Sequence, residues 1–125
     1  MVGLIFGNSQ LIAERLIELI SETNKGITFH YANSYEAGIP LLKEQQPAVV
    51  LLELNFAGNN IIDLIKKIKA LDDKTIVIVL FSVQDEQKLA QCKANGADYI
   101  LDMYNEFEKF PKIINRIVNS KDNNQ

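Results

Sequence analysis

The stretch "PAVVLLELNFAGNNIIDLIKKIKA", residues 47–70, decides the fold. Its first part, "AVVLLEL" at 48–54, is apolar almost throughout, as a strand buried on both faces should be. Its second part places Ile61, Ile62, Leu64, Ile65 and Ile68 at helical spacing. The unit is a strand followed by an amphipathic helix. One residue disturbs it: Glu53 ends the buried run, and a carboxylate there costs free energy unless something compensates it.

The same alternation extends in both directions. Further apolar runs are "VGLIF" (2–6), "GITFHYA" (26–32), "TIVIVLF" (75–81) and "DYIL" (98–101). Helical stripes are formed by Leu11, Ile12, Leu16, Leu19 and Ile20, and by Phe107, Phe110, Ile113, Ile114 and Ile117. Helix starts are marked by Asn33 with Glu36, Asn105 with Glu108 and Asn60 with Asp63, each spaced as a capping box, and by Asp85 before the fourth helix. Gly26 and Gly96 sit where helices should stop. Pro40 predicts a kink or a late start in the second helix, whereas Pro111 falls early enough in the fifth to be tolerated. Five (βα) repeats predict an α/β fold: a doubly wound, flavodoxin-like parallel sheet of order 2-1-3-4-5.

With 125 residues, 47% hydrophobic and 23% charged, the chain fits one domain over 1–120 with a polar tail at 121–125. A net charge of −3 gives no support for nucleic-acid binding, and Lys66, Lys67 and Lys69 read as a solvated helix face. Cys92, the one cysteine, excludes an intramolecular disulfide and points to a cytoplasmic chain; beside Ala90 and Ala94 it reads as a small buried hydrophobe. No apolar run reaches the length of a membrane span.

In doubly wound sheets ligands sit beyond the carboxyl ends of the strands. The candidates there are Gly7 and Asn8, Glu53 to Gly58, Phe81 and Ser82, and Asp102 and Met103. No nucleophile–base pair is apparent among them, so no enzymatic activity is expected, and the single histidine, His30, lies inside the second strand. A small-ligand role would use the loop "GNSQ" at 7–10 as an anion cradle, but that loop lacks the Ser/Thr- or Gly-rich character of a flavin-phosphate site.

Over nearly its whole length the sequence resembles the receiver domain of two-component response regulators. "GNSQLIAERLIELI" is similar to the first loop and helix of that family. The 47–70 stretch is similar to its phosphoacceptor strand and following helix. "TIVIVLFSVQDEQKLAQCKANGADYILDMYNEFEKF", with its "GAD" at 96–98, resembles the second half. The resemblance implies a signalling module in which two acids after strand one help hold Mg²⁺. An aspartate ending strand three accepts the phosphoryl group, and a carbonyl two residues later completes the metal site. A Ser or Thr after strand four and a Lys after strand five neutralise the phosphoryl oxygens.

Carried onto this chain, the acid pair becomes Gly7 and Asn8, the acceptor Glu53, the carbonyl position Asn55, the hydroxyl position Phe81 with Ser82 beside it, and the lysine position Met103. The aromatic usually linked to activation falls at Ile100, with Tyr99 one residue off. A site so neutral should bind Mg²⁺ poorly, and no cofactor or metal is expected. Three readings of Glu53 compete: a phosphoacceptor, a permanent mimic of the phosphorylated acid, or a polar residue capping the pocket through backbone N–H groups or Asn8. The third is preferred, because Phe81 and Met103 offer a charge no partner and a carboxylate carries less charge than a phosphoryl group. The expected role is a pseudo-receiver that binds a protein partner or a second copy of itself without phosphorylation, with no nucleic acid or membrane involved. The face implied by the resemblance is the fourth helix, fifth strand and fifth helix, here carrying Gln87, Gln91, Tyr99, Asp102, Tyr104 and Phe107.

Overall fold

The computed structural model describes residues 1–56 and 61–123. Ten elements alternate: β1 (Val2–Phe6), α1 (Gln10–Thr23), β2 (Thr28–Ala32), α2 (Tyr35–Gln45), β3 (Val49–Glu53), α3 (Ile61–Leu71), β4 (Ile76–Phe81), α4 (Glu86–Ala94), β5 (Tyr99–Asp102) and α5 (Lys109–Asn123). The five strands pair in parallel in the order β2-β1-β3-β4-β5, as the alternating pattern predicts. α5 runs three residues into the polar stretch that the sequence reads as a tail.

Period-two alternation sorts the strand side chains onto two cores. Leu4, Phe6, Val50, Leu52, Val77 and Val79 pack with Leu42 of α2, with Ile61, Leu64, Ile65 and Ile68 of α3, and with Cys92 of α4. Ile5, Val49, Leu51, Ile78 and Leu80 pack with Ala13, Leu16 and Ile20 of α1 and with Phe110, Ile113, Ile114 and Ile117 of α5. β3 carries four consecutive fully buried apolar residues because both its faces are covered. Each such side chain contributes about 1.5–3 kcal/mol by leaving water. Among the described residues no helix is long and apolar enough to cross a membrane.

Several local expectations need correction. The cap of α2 is Ser34, whose Oγ accepts from Ala37 N–H, not Asn33, which is exposed. The helix begins at Tyr35 and runs through Pro40, so it does not start late; the ring removes only the bond to the Glu36 carbonyl. Asn105 does not cap α5, which begins at Lys109. Asn60 lies outside the described residues. Asp85 does cap α4, accepting from Lys88 N–H at 3.1 Å. On α1 the inward stripe uses Ala13, while Leu11 is 66% exposed. Lys67 and Lys69 are not a plain solvated face: Lys67 stands over the Tyr35 ring at 5.7 Å, and Lys69 donates to Thr75 O and Asp98. Both side chains have long apolar stems that lie along the protein while the ammonium finds a partner.

Candidate functional site

Strand register builds the site. Phe6 pairs with Leu52, so Gly7 stands opposite Glu53 at the carboxyl edge of the sheet. Glu53 pairs with Leu80, and Phe81 with Asp102, which brings the ends of β4 and β5 to the same edge. Beyond Glu53 the backbone turns: Leu54 N–H still donates to Leu80 O at 2.8 Å, and Phe56 N–H donates back to Glu53 O at 2.9 Å. Phe56 then buries its ring against Phe6, centroids 5.5 Å apart, which anchors the turn to the core.

The Glu53 side chain is half-buried, and its Oε2 accepts from Asn8 N–H at 3.3 Å. Burial pushes its carboxyl above the usual glutamate value, and the Asn8 N–H bond partly opposes this. Gly7 is buried and held on both sides: its N–H donates to Ala32 O at 3.2 Å, and its carbonyl accepts from the Tyr31 hydroxyl at 2.9 Å. Tyr31 is a residue that sequence reading missed. Its phenol is pushed up by burial first and by the Glu53 charge second, which ties it electrostatically to the site. The signal was topological: in a 2-1-3 order the end of β2 must flank the β1–α1 loop.

The other candidates differ in burial and in the side of the sheet they pack on. Phe81 is half-buried and packs with Ile100 against the core beneath α2, α3 and α4. Ser82, Asn8 and Asn55 are exposed. Met103 packs on the α1–α5 side of the sheet, opposite Phe81, with Ile12, Tyr99 and Phe107. It lines a groove of about 270 Å³ with Ile12, Arg15, Tyr104 and Phe107. Phe81 carries no hydrogen-bond donor in its side chain and Met103 no cation. The donor set also does not fit a divalent cation: Glu53 is the one acid at the strand ends β1 and β3, Gly7 brings no ligand, and Asn8 is neutral. Among the described residues no three His, Cys, Asp or Glu side chains gather as a metal centre.

The six candidate face residues also divide. Gln87 and Gln91 are exposed and line a shallow groove with Ile61, Ile62, Asp85 and Lys88. Tyr104, 77% exposed, and Phe107 border the Met103 groove on the α1 side. Tyr99 and Phe107 are half-buried against the α1–α5 core. Asp102 is committed internally: Oδ1 accepts from Tyr104 N–H at 2.8 Å and Asn105 N–H at 3.2 Å, and Oδ2 accepts from the Asn105 side chain. Glu106 completes the turn, accepting from Asp102 N–H at 3.0 Å and from Lys109 at 2.8 Å. These bonds hold the Asp102 and Glu106 carboxyls below their usual ranges; the Tyr104 N–H acts most on Asp102 and the Lys109 ammonium most on Glu106.

Comparison with known proteins agrees with this geometry. The chain is 28% identical over 115 residues to the sensory transduction protein LytT of Oceanobacillus iheyensis, covering 91% of this chain and 46% of that protein. The chain spans about half the length of the curated relatives it matches. Among solved structures, the signal receiver domain of a DNA-binding response regulator from Colwellia psychrerythraea superposes with a TM-score of 0.86 at 21% identity, covering 95% of this chain and 98% of that one. A two-component response regulator from Clostridium difficile superposes with a TM-score of 0.82 at 19% identity, covering 95% and 96%. The family model for the response regulator receiver domain matches residues 4–115, and with the (βα)₅ sheet and the strand-end residues in register it follows that the chain belongs to the response regulator receiver domain family.

Proposed function

We propose that this receiver domain works in signal transduction as a phosphorylation-independent protein-interaction module. One observation carries the reading: among the described residues, the Glu53 carboxylate receives a single hydrogen bond, from Asn8 N–H, and the ends of β4 and β5 offer it Phe81 and Met103. Phosphoryl transfer needs cations at the equatorial oxygens, and an acyl phosphate here would have none of the usual ones. What the fold keeps is a rigid scaffold with surfaces. The partner is a protein, or a second copy of this chain, meeting the exposed Gln87, Gln91 and Tyr104 around α4 and the β5–α5 turn.

The test is direct. Incubation with Mg²⁺ and a small-molecule phosphodonor, followed by intact-mass measurement, should give no phosphoryl adduct. An adduct that disappears in Glu53→Ala would establish the competing reading, a phosphorelay receiver using Glu53. The half-exposed position of Glu53 at the acceptor site is the observation favouring that alternative.

A further inference from the structure

A Cβ built on Gly7 would lie 2.5 Å from Glu53 Oε1, 3.0 Å from Cδ and 3.4 Å from Cγ. The glycine is not there for backbone conformation, since Gly96 is the described glycine with positive φ. It is there for volume. Nor can the backbone retreat: the Gly7 N–H is bonded to Ala32 O and its carbonyl to the Tyr31 hydroxyl, both from β2, on the side away from β3. The Glu53 carboxylate is itself tethered by the next residue's N–H, Asn8.

We infer that Gly7 is the positioning residue for Glu53: by lacking a side chain it leaves the volume into which the Glu53 carboxylate turns, so that the site's own acid fills the space a side chain at position 7 would occupy. The two departures from the receiver pattern, 46 positions apart in sequence and adjacent in space, are then one change rather than two. The extra methylene of glutamate over aspartate carries the carboxylate across to β1, and the missing acid on β1 makes the room. The self-filled pocket resists refilling: an aspartate placed at position 7 alone would meet the carboxylate already there, with collision and like-charge repulsion together. This rests on the reading of the site as chemically silent, but it fails separately. A phosphoryl adduct on the wild-type chain would overturn that reading and leave the pairing of Gly7 with Glu53 untouched.

The experiment is a thermal-denaturation cycle of wild type, Gly7→Ala, Glu53→Ala and Gly7→Ala/Glu53→Ala, with carboxyl titration of Glu53 by NMR in the two chains that retain it. Gly7→Ala should change Tm in the presence of Glu53, whose carboxylate must leave its place, and leave it nearly unchanged in its absence. It should also move the Glu53 midpoint down toward that of a solvated glutamate, as the carboxylate is driven outward; a role confined to packing would leave that midpoint in place. Should Gly7→Ala fail to fold while the double variant folds, the pairing stands. An equal change of Tm in both backgrounds, failure of both to fold, or an unmoved Glu53 midpoint overturns it.

Discussion

Lys69 Nζ lies 2.8 Å from Asp98 Oδ2, and that same oxygen accepts the Val77 N–H at 2.8 Å. Lys69 also donates to Thr75 O, so one ion pair staples the end of α3 to the start of β4 and to the turn before β5. The pair is asymmetric. Removing Asp98 leaves the fully buried Val77 without its N–H acceptor, whereas removing Lys69 leaves Asp98 still bonded to Val77. Asp98→Ala should therefore lower unfolding free energy by about 1–3 kcal/mol. Lys69→Met should cost about 1 kcal/mol or less, because a partly exposed ion pair contributes little. Urea unfolding of both variants measures the difference, and equal losses would contradict the asymmetry.

Cys92 is fully buried on the α4 face of the core, and burial pushes its thiol up, with Lys88 as the second, opposing cause. A buried neutral thiol is a poor nucleophile. Labelling by a thiol reagent should be at least about tenfold slower in the native protein than in denaturant, with a rate that follows opening of the fold. Fast native labelling would show that α4 separates from the sheet far more readily than its packing implies.

Sequence patterning made the sheet order, the two-sided core and the strand-end positions legible, because parallel strands buried on both faces have an apolar signature that local chemistry does not blur. Glu53 was legible for the same reason, as an acid where the pattern calls for none. Its surroundings were not. The contact of Glu53 with Gly7 needs the register of β1 against β3, and Tyr31 enters only through β2. The α5 start was misread because Asn105 and Glu108 have capping-box spacing while Asp102 takes both the Tyr104 and Asn105 N–H groups first. Asn33 lost to Ser34 by one residue, since either side chain can reach an N–H two or three positions on. Asp102 reads from sequence as a residue of the partner face; what the sequence does not display is that its carboxylate also accepts three hydrogen bonds within its own turn.

That turn has a pH signature. Asp102 and Glu106 are both held below their usual ranges in the folded chain. A depressed folded value means that their stabilisation is present above the unfolded value and is lost as pH falls through the folded one. The Tyr104 and Asn105 amide resonances should hold steady down to the ordinary carboxylate range and shift only below it. Asp102→Asn should flatten that acid limb, and an unchanged profile in the variant would place the titration elsewhere.

Glu53 runs the opposite way. Its folded value is raised, so its contribution to stability is complete below the unfolded glutamate value and is lost as pH rises through the folded one. Above that folded value the ionised, half-buried carboxylate therefore burdens the fold, with one N–H bond in partial compensation. Glu53→Gln keeps the shape and removes the charge. It should raise Tm above the folded Glu53 midpoint, and the gain should shrink to nothing as the wild-type carboxyl is protonated below it. A Gln variant less stable than wild type above that midpoint would mean that the charge is a net asset, bonded more strongly than the single Asn8 N–H suggests. Tyr31 supplies the internal control: with the Glu53 charge gone, the second cause of its raised phenol disappears, and its titration should move down in the same variant.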